Sequence, residues 1–434
     1  MKILFVDFRD DVKKTIITTF LDYETPLTFP ILAALTPCEY SIDLLLVDEK
    51  TIDRIDFDAD YDLIGITVIT QNAFLAYKIA DEFRRRGKKV ILGGRHPSVL
   101  PDEAVNHSDS VVIGEAEGTW PKLLKDFKKN KLKKIYFQDN ILSANRIPMP
   151  KNDIYQKGTN IAIQASRGCI NRCEFCSMSN IKFRKNYRKK PIKKVIEEIK
   201  NIPNRTFVFH DNSLTNDPDY TKELFKAMTG LNKRFCLQGN QNVLNKDEEL
   251  LKLSREAGCI DWFVGFESIS EGALKEMGKK SNSVKEYIST IKKIHNYGMT
   301  VRAGFIFGSD HDKIDIFERT DEFVRISELD VPQSIIITPF PGTPLFDRLE
   351  TEGRIITKDW SKYKMDNVVF QPKNMTSDKL LNETQNLQKS WYKSYTTLTR
   401  IIKSMNYGFY PFFHTARRNL FWYYYQKSIS NSLI

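Results

Sequence analysis

Short apolar runs set among longer stretches of helical periodicity open the chain. ILFVD (3–7), DLLLV (43–47), LIGITV (63–68), KVILGG (89–94) and SVVIG (110–114) are aliphatic and β-branched throughout and bounded by polar or turn residues. That pattern predicts strands buried on both faces, as in a parallel sheet. Between them, AFLAYKIADEFRRRG (73–87) has apolar residues at helical spacing, arginines in its last turn and a closing glycine, which predicts an amphipathic helix. Strand, helix and strand in alternation give an α/β, doubly wound domain over residues 1–140. In such sheets ligands gather at the carboxyl ends of the strands. Here those ends read TVITQN (67–72), GGRHPS (93–98) and GEAEGT (114–119). Their glycines let backbone approach a bulky ligand, and Thr70 adds a donor. No G-x-G-x-x-G follows the first strand, which argues against a dinucleotide.

The alternation resumes over residues 155–350. NIAIQAS (160–166), TFVFHD (206–211), RFCLQG (234–239), DWFVGFES (261–268), TVRAGFIFGSD (300–310) and QSIIITPF (333–340) read as six strands. KDEELLKLSREAG (246–258) and VKEYISTIKKIHNYG (284–298) read as helices between them, each stopped by glycine. A third region, 351–434, turns helical after Ser377 and becomes YGFYPFFHTARRNLFWYYYQKS (407–428), dense in aromatics. A helical cap and an interfacial element at the headgroup level of a membrane are both open readings of it.

Composition narrows the setting. With 434 residues, 41% hydrophobic and 28% charged, the chain reads as a soluble globular protein of two or three domains. No apolar run is long enough to span a membrane and MKILFVDFRDD lacks a signal-peptide pattern, so a cytoplasmic location is expected. The net charge of +11 is partly local, since eight Lys/Arg face two Asp/Glu from Ser377 onward. Basic runs elsewhere read as solvated faces, and no nucleic-acid partner is expected.

SRGCINRCEFCSMSN (166–180) carries the chemistry. Cys169, Cys173 and Cys176 follow a strand and Gly168 at a Cys-x3-Cys-x2-Cys spacing. Zinc sites usually pair two C-x2-C units or add histidines at short spacing, and neither follows. A disulfide framework fails on compartment and odd count. Iron–sulfur clusters normally take four thiolates, so three would leave one iron with an open position for a ligand. Cys38, Cys236 and Cys259 sit in apolar runs and read as small core residues.

The triplet, with Phe175 before its last cysteine, resembles the radical S-adenosylmethionine (SAM) enzymes. That resemblance implies a 4Fe–4S cluster on Cys169, Cys173 and Cys176, SAM on the open iron, a 5′-deoxyadenosyl radical and a partial (β/α)6 TIM-like barrel. Polar residues at the strand ends become candidate cofactor contacts: Asp211 with His210 and Asn212, Gln238 with Asn240, and Glu267 with Ser268. Glu267 lies where the family commonly places a SAM contact, GFIFGSD with Gly308 resembles the strand that packs on adenine, and Arg302 either steers the SAM carboxylate or pairs with an acid.

LGGRHPSVLPDEAVNHSDSVVIGEAEGTWPKLL (92–124) ahead of that motif closely resembles the cobalamin-binding radical SAM class. TPFPGTPLFDRLETEGRI (338–355) and DWSKYKMDNVVFQPKNMT (359–376) are similar to the subgroup that includes hopanoid C-methylases. The resemblance implies a Rossmann-like cobalamin domain, with Thr70, Gly93, Gly94, His96, Gly114 and Glu115 as its contacts. It implies methylation of an unactivated carbon, with rearrangement or cyclisation without net methyl transfer as the alternative. A small-molecule or lipid substrate, an electron donor such as flavodoxin or ferredoxin, and peripheral membrane contact through the aromatic tail belong to the same expectation. One departure stands out: no D-x-H-x-x-G loop is present, so His96 is expected to pack along a corrin rather than ligate cobalt. Methylthiolation would need three further cysteines in the first domain, where only Cys38 exists.

Overall fold

The apolar runs of the first third pair side by side in one parallel sheet. The computed structural model describes residues 1–8, 25–138, 141–155, 161–180 and 186–430. Strands β1 (Lys2–Phe8), β2 (Ser41–Val47), β3 (Leu63–Thr67), β4 (Lys89–Gly93), β5 (Ser110–Ile113) and β6 (Ile135–Phe137) are ordered β2-β1-β3-β4-β5-β6. The order reverses between β1 and β3, which is the switch point where such sheets open a crevice. Helix α1 (Thr28–Leu35) and helix α2 (Ala73–Arg85) cover the sheet. Helix α2 buries Ala73, Ala76, Tyr77, Ile79, Ala80 and Phe83, the stripe expected of its sequence. Strand β6 was not anticipated: it has three residues, and Ile135 and Phe137 face solvent, so no buried run announces it.

The second half forms β7 (Ile161–Ile163), β8 (Ser166–Arg167), β9 (Arg188–Lys189), β10 (Thr206–Phe209), β11 (Arg234–Gly239), β12 (Cys259–Glu267), β13 (Thr300–Phe307) and β14 (Val331–Ile336). Six of these build a parallel sheet ordered β14-β13-β12-β11-β10-β7, while β8 and β9 pair as an antiparallel hairpin. The single strand expected at 160–166 is therefore two, and residue 160 lies outside the described residues. The break has a cause: the Asp211 carboxylate accepts the backbone N–H of Ala165 and Ser166 and the hydroxyl of Ser166, diverting the chain from the ladder.

After the barrel the chain returns to the first domain. Phe346, Trp360, Tyr363 and Val369 join Leu4, Ile64, Phe83 and Leu92 in one apolar core. The third region turns helical at Ser377, as its pattern predicts, with α4 (Ser377–Trp391), α5 (Ser394–Ser404) and α6 (Phe409–Ser430). Leu380, Leu387 and Trp391 of α4 belong to the barrel core, so this region caps the barrel. Its outer side leaves Tyr395, Leu398, Ile402, Met405, Phe409 and Phe413 more than half exposed. Among the described residues, no helix is long and apolar enough to cross a membrane. Cys236 and Cys259 are buried as expected, but Cys38 is exposed, because it lies in the turn before β2 rather than in a strand.

Candidate active site

The three cysteines lie on a loop that leaves β8 at Gly168, whose φ of +83° suits glycine. Several backbone bonds hold that loop. The Cys176 N–H donates to the Cys173 carbonyl, the Glu174 N–H to the Met277 carbonyl, and the Leu345 N–H to the Glu174 carbonyl. Gly278 sits so close that a Cβ there would come within 3.3 Å of the Arg172 carbonyl oxygen. Asn212 Nδ2 donates to the Gly168 carbonyl. All three thiols are free of disulfides. Burial pushes the Cys173 thiol up to about 12, against the pull of the Lys279 ammonium beside it. Lys279 in turn pairs with Glu267 at 2.6 Å. Glu267 occupies a left-handed φ of +62° at a register shift ending β12, which brings its carboxylate into this group. Three soft thiolates on one turn, with a lysine to offset their charge, suit an iron–sulfur cluster and leave one iron without a cysteine.

A cavity of about 650 Å³ opens beside this loop, within the range usual for cofactor sites. The first sheet contributes the ends of β1 (Phe8), β3 (Thr67), β4 (Gly93, Gly94) and β5 (Gly114, Glu115), above a floor of Ile66, Ile91 and Val112. The barrel contributes Gln164, His210, Asp211, Asn212 and Gln238. Bare glycine ends above an apolar floor suit a flat macrocycle laid over the sheet. Gly94, at φ +105°, lies so near the chain of β3 that a Cβ would meet the Val68 carbonyl oxygen at 2.6 Å. Among the described lining residues the first sheet offers no histidine, so the donor set fits cobalamin held without a protein imidazole from that domain.

Of the expected contacts, Gly93, Gly94, Gly114, Glu115, Asp211 and Gln238 meet around this cavity, and Glu267 meets the cysteines through Lys279. Phe175 packs on the barrel core. Three expectations, on His96, Thr70 and Gly308, need correction, and the choice left open for Arg302 is decided. His96, on the short helix α3 (Arg95–Val99), is fully buried beneath the cavity: its Nε2 meets Glu103 at 3.1 Å, its Nδ1 meets Thr70 at 3.4 Å, and its ring lies edge-on to Trp360. His96 and Thr70 therefore tie α3 to the segment returning from the barrel rather than lining the cleft. Arg302 lies in the first half of β13 and binds Asp261 at 2.5 Å, so it pairs with an acid. Gly308 owes its identity to φ +106° and to Leu380, Phe370 and Ile337, which crowd the space a Cβ would take.

Other residues were missed. Arg95, at the start of α3, lines the cavity; burial lowers its pKa, and the Cys176 charge opposes that shift. An ionic clamp joins the β8–β9 pair to the end of the first sheet. Arg188 on β9 binds Glu115 at 2.5 Å, and Arg167 on β8 binds Glu117 at 2.5 Å and approaches Glu115 at 3.6 Å. Burial pulls the Arg167 pKa down, but the two carboxylates more than offset it. Nothing local in the sequence marks these partners, because 73 residues separate Arg188 from Glu115.

Residues 13–124 match the B12 binding domain, residues 163–324 the Radical SAM superfamily, and residues 343–424 a Domain of unknown function (DUF4070). Bacteriochlorophyllide d C-12(1)-methyltransferase of Chlorobaculum tepidum is 33% identical over 373 residues, covering 83% of this chain and 81% of that protein. Anaerobic magnesium-protoporphyrin IX monomethyl ester cyclase of Cereibacter sphaeroides is 27% identical, covering 76% of this chain and 60% of that protein. The solved radical SAM methyltransferase TsrM from Kitasatospora setae, with cobalamin and a [4Fe-4S] cluster bound, superposes with a TM-score of 0.70 at 13% identity over 99% of each chain, a likeness of fold.

Proposed function

Because this chain belongs to the cobalamin-binding radical SAM enzymes, we propose that it methylates an unactivated carbon of a small molecule held between its two sheets. The observation that carries this reading is one cavity lined jointly by the glycine ends of the first sheet and the barrel ends beside the cysteine loop. When bound, the cluster with SAM supplies a 5′-deoxyadenosyl radical and cobalamin supplies the methyl group. Cys169, Cys173 and Cys176 would hold the cluster, and Lys279, held by Glu267, places a positive charge beside Cys173. Gln164, Asn212 and Gln238 present amides that can orient bound groups, while Ile66, Ile91 and Val112 keep the floor dry. The clamp of Arg167 and Arg188 on Glu115 and Glu117 fixes the separation of the two strand-end surfaces, which positions reactants with little motion. A flavodoxin or ferredoxin as reductant and a cytoplasmic location complete the proposal.

Cyclisation or rearrangement without net methyl transfer is a second reading, favoured by the similarity to the cyclase. Anaerobic reconstitution with iron, sulfide and cobalamin, then turnover with SAM and bacteriochlorophyllide d as first candidate substrate, separates the two by mass spectrometry. S-adenosylhomocysteine together with 5′-deoxyadenosine is expected, and alanine at Cys169, Cys173 or Cys176 should abolish both. Deoxyadenosine alone marks the second reading, and failure to retain cobalamin removes the first.

The exposed apolar stripe of α5 and α6 supports a peripheral membrane contact as part of this proposal. Lys393, just before α5, Lys403 on α5 and Lys427 on α6 are exposed, which suits anionic headgroups. The full chain should float with phosphatidylglycerol vesicles, and a Phe409→Ser/Phe413→Ser variant should float several-fold less; equal partitioning sinks the contact.

A further inference from the structure

A second chamber, of about 740 Å³, adjoins the cofactor cavity and shares Phe8 and Asn72 with it. Its walls come from three parts of the fold: Phe74 and Leu75 on α2, Ile335 on the edge strand β14, and Trp422 and Tyr425 on α6. These apolar and aromatic faces offer a surface on which a ring system can lie. Polar side chains line the rest of the chamber, and one of them carries an unmet group. Gln388 of α4 lines the chamber and is 6% exposed. Its Oε1 accepts from the Ser334 N–H at 2.8 Å and the Ser334 hydroxyl at 2.7 Å, which fixes the amide's orientation. Its Nε2 is then buried without an acceptor. An unmet buried donor destabilises the fold, and a ligand acceptor would recover that cost. The lining lysines and acids number three each, so net charge selects no sign of ligand.

We propose that this chamber holds the body of the substrate, a large apolar ring system bearing a carbonyl or carboxylate that accepts from Gln388, with its reacting edge reaching the cofactor cavity past Phe8 and Asn72. Identifying the ligand as substrate rests on the methyl-transfer reading; the ligand-binding property of the chamber does not. Equilibrium dialysis of the full reconstituted protein, without SAM, against pheophorbide a (a chlorin acid) and glycyrrhetinic acid (a pentacyclic triterpene acid) tests it. At least one should bind, and Ile335→Trp and Leu75→Trp, which fill the chamber from opposite walls, should each weaken binding at least tenfold, about 1.4 kcal/mol. Gln388→Leu should weaken it roughly fivefold at nearly unchanged volume. Thermal melts identify any variant that fails to fold, and two separate walls keep the result readable. Which ligand binds assigns the ring class. If neither binds, or if binding survives both tryptophans, the assignment is wrong. Since no SAM is present, that failure leaves the product test of the reaction intact.

Discussion

Asp312 shows what burial does to a single carboxylate in this barrel. Its Oδ2 accepts the N–H groups of Gly308 and Ser309 at 2.8 and 3.0 Å, while its Oδ1 is buried without a partner. Burial, helped by the nearby Glu276 and Asp310 and opposed by the two backbone N–H groups, pushes its pKa up to about 7. The folded state therefore holds this proton more tightly than the unfolded chain, and stability falls as pH rises from about 4 to about 7. Asp312→Asn should remove that loss. At pH 8 the variant should be more stable than the parent by about 2 kcal/mol in urea titrations, and at pH 4 it should match it. An equal pH slope in both proteins would exclude Asp312 as the cause. Among single residues, the cysteines were legible because their spacing is itself the chemistry. Arg302 was not, since its partner Asp261 lies on the neighbouring strand, 41 residues away.

At the scale of elements, the β8–β9 hairpin does work that the neighbouring strands do not. It carries both arginines of the clamp, Arg167 just ahead of Cys169 and Arg188 twelve residues beyond Cys176, and it exists because Asp211 turns the chain out of the sheet. Side chains in the clamp are 6–13% exposed, so removing one carboxylate strands a partly buried guanidinium. Glu115→Ala should lower stability by about 3 kcal/mol, measured by urea unfolding at pH 7. A loss within ~0.5 kcal/mol would place the clamp among ordinary surface pairs. The buried strands were legible from their aliphatic runs, since a strand covered on both faces has little choice of composition. Strand β6 and the hairpin were not, because their pairing depends on neighbours rather than on their own residues.

Over the whole molecule, the chain crosses between its two sheets more than once. Residues after the barrel re-enter the first core through Trp360 and Tyr363, and Trp360 Nε1 donates to Glu103, the same carboxylate that meets His96. This is why His96 is locked beneath the cofactor cavity, and why the segment that follows the barrel packs in the core of the first domain. Helix α6 likewise has two faces: Trp422 and Tyr425 line the second chamber, while Phe409 and Phe413 point outward. What the amino-acid sequence by itself determined is the set of elements and the cluster-binding motif, because hydrophobic periodicity and ligand spacing are local properties of the chain. Only the tertiary structure decided which polar residues meet across the cleft, that His96 and Arg302 are spent on internal partners, and that a second chamber opens beside the first. Those outcomes depend on contacts between residues tens to hundreds of positions apart, and such pairings leave no periodic trace.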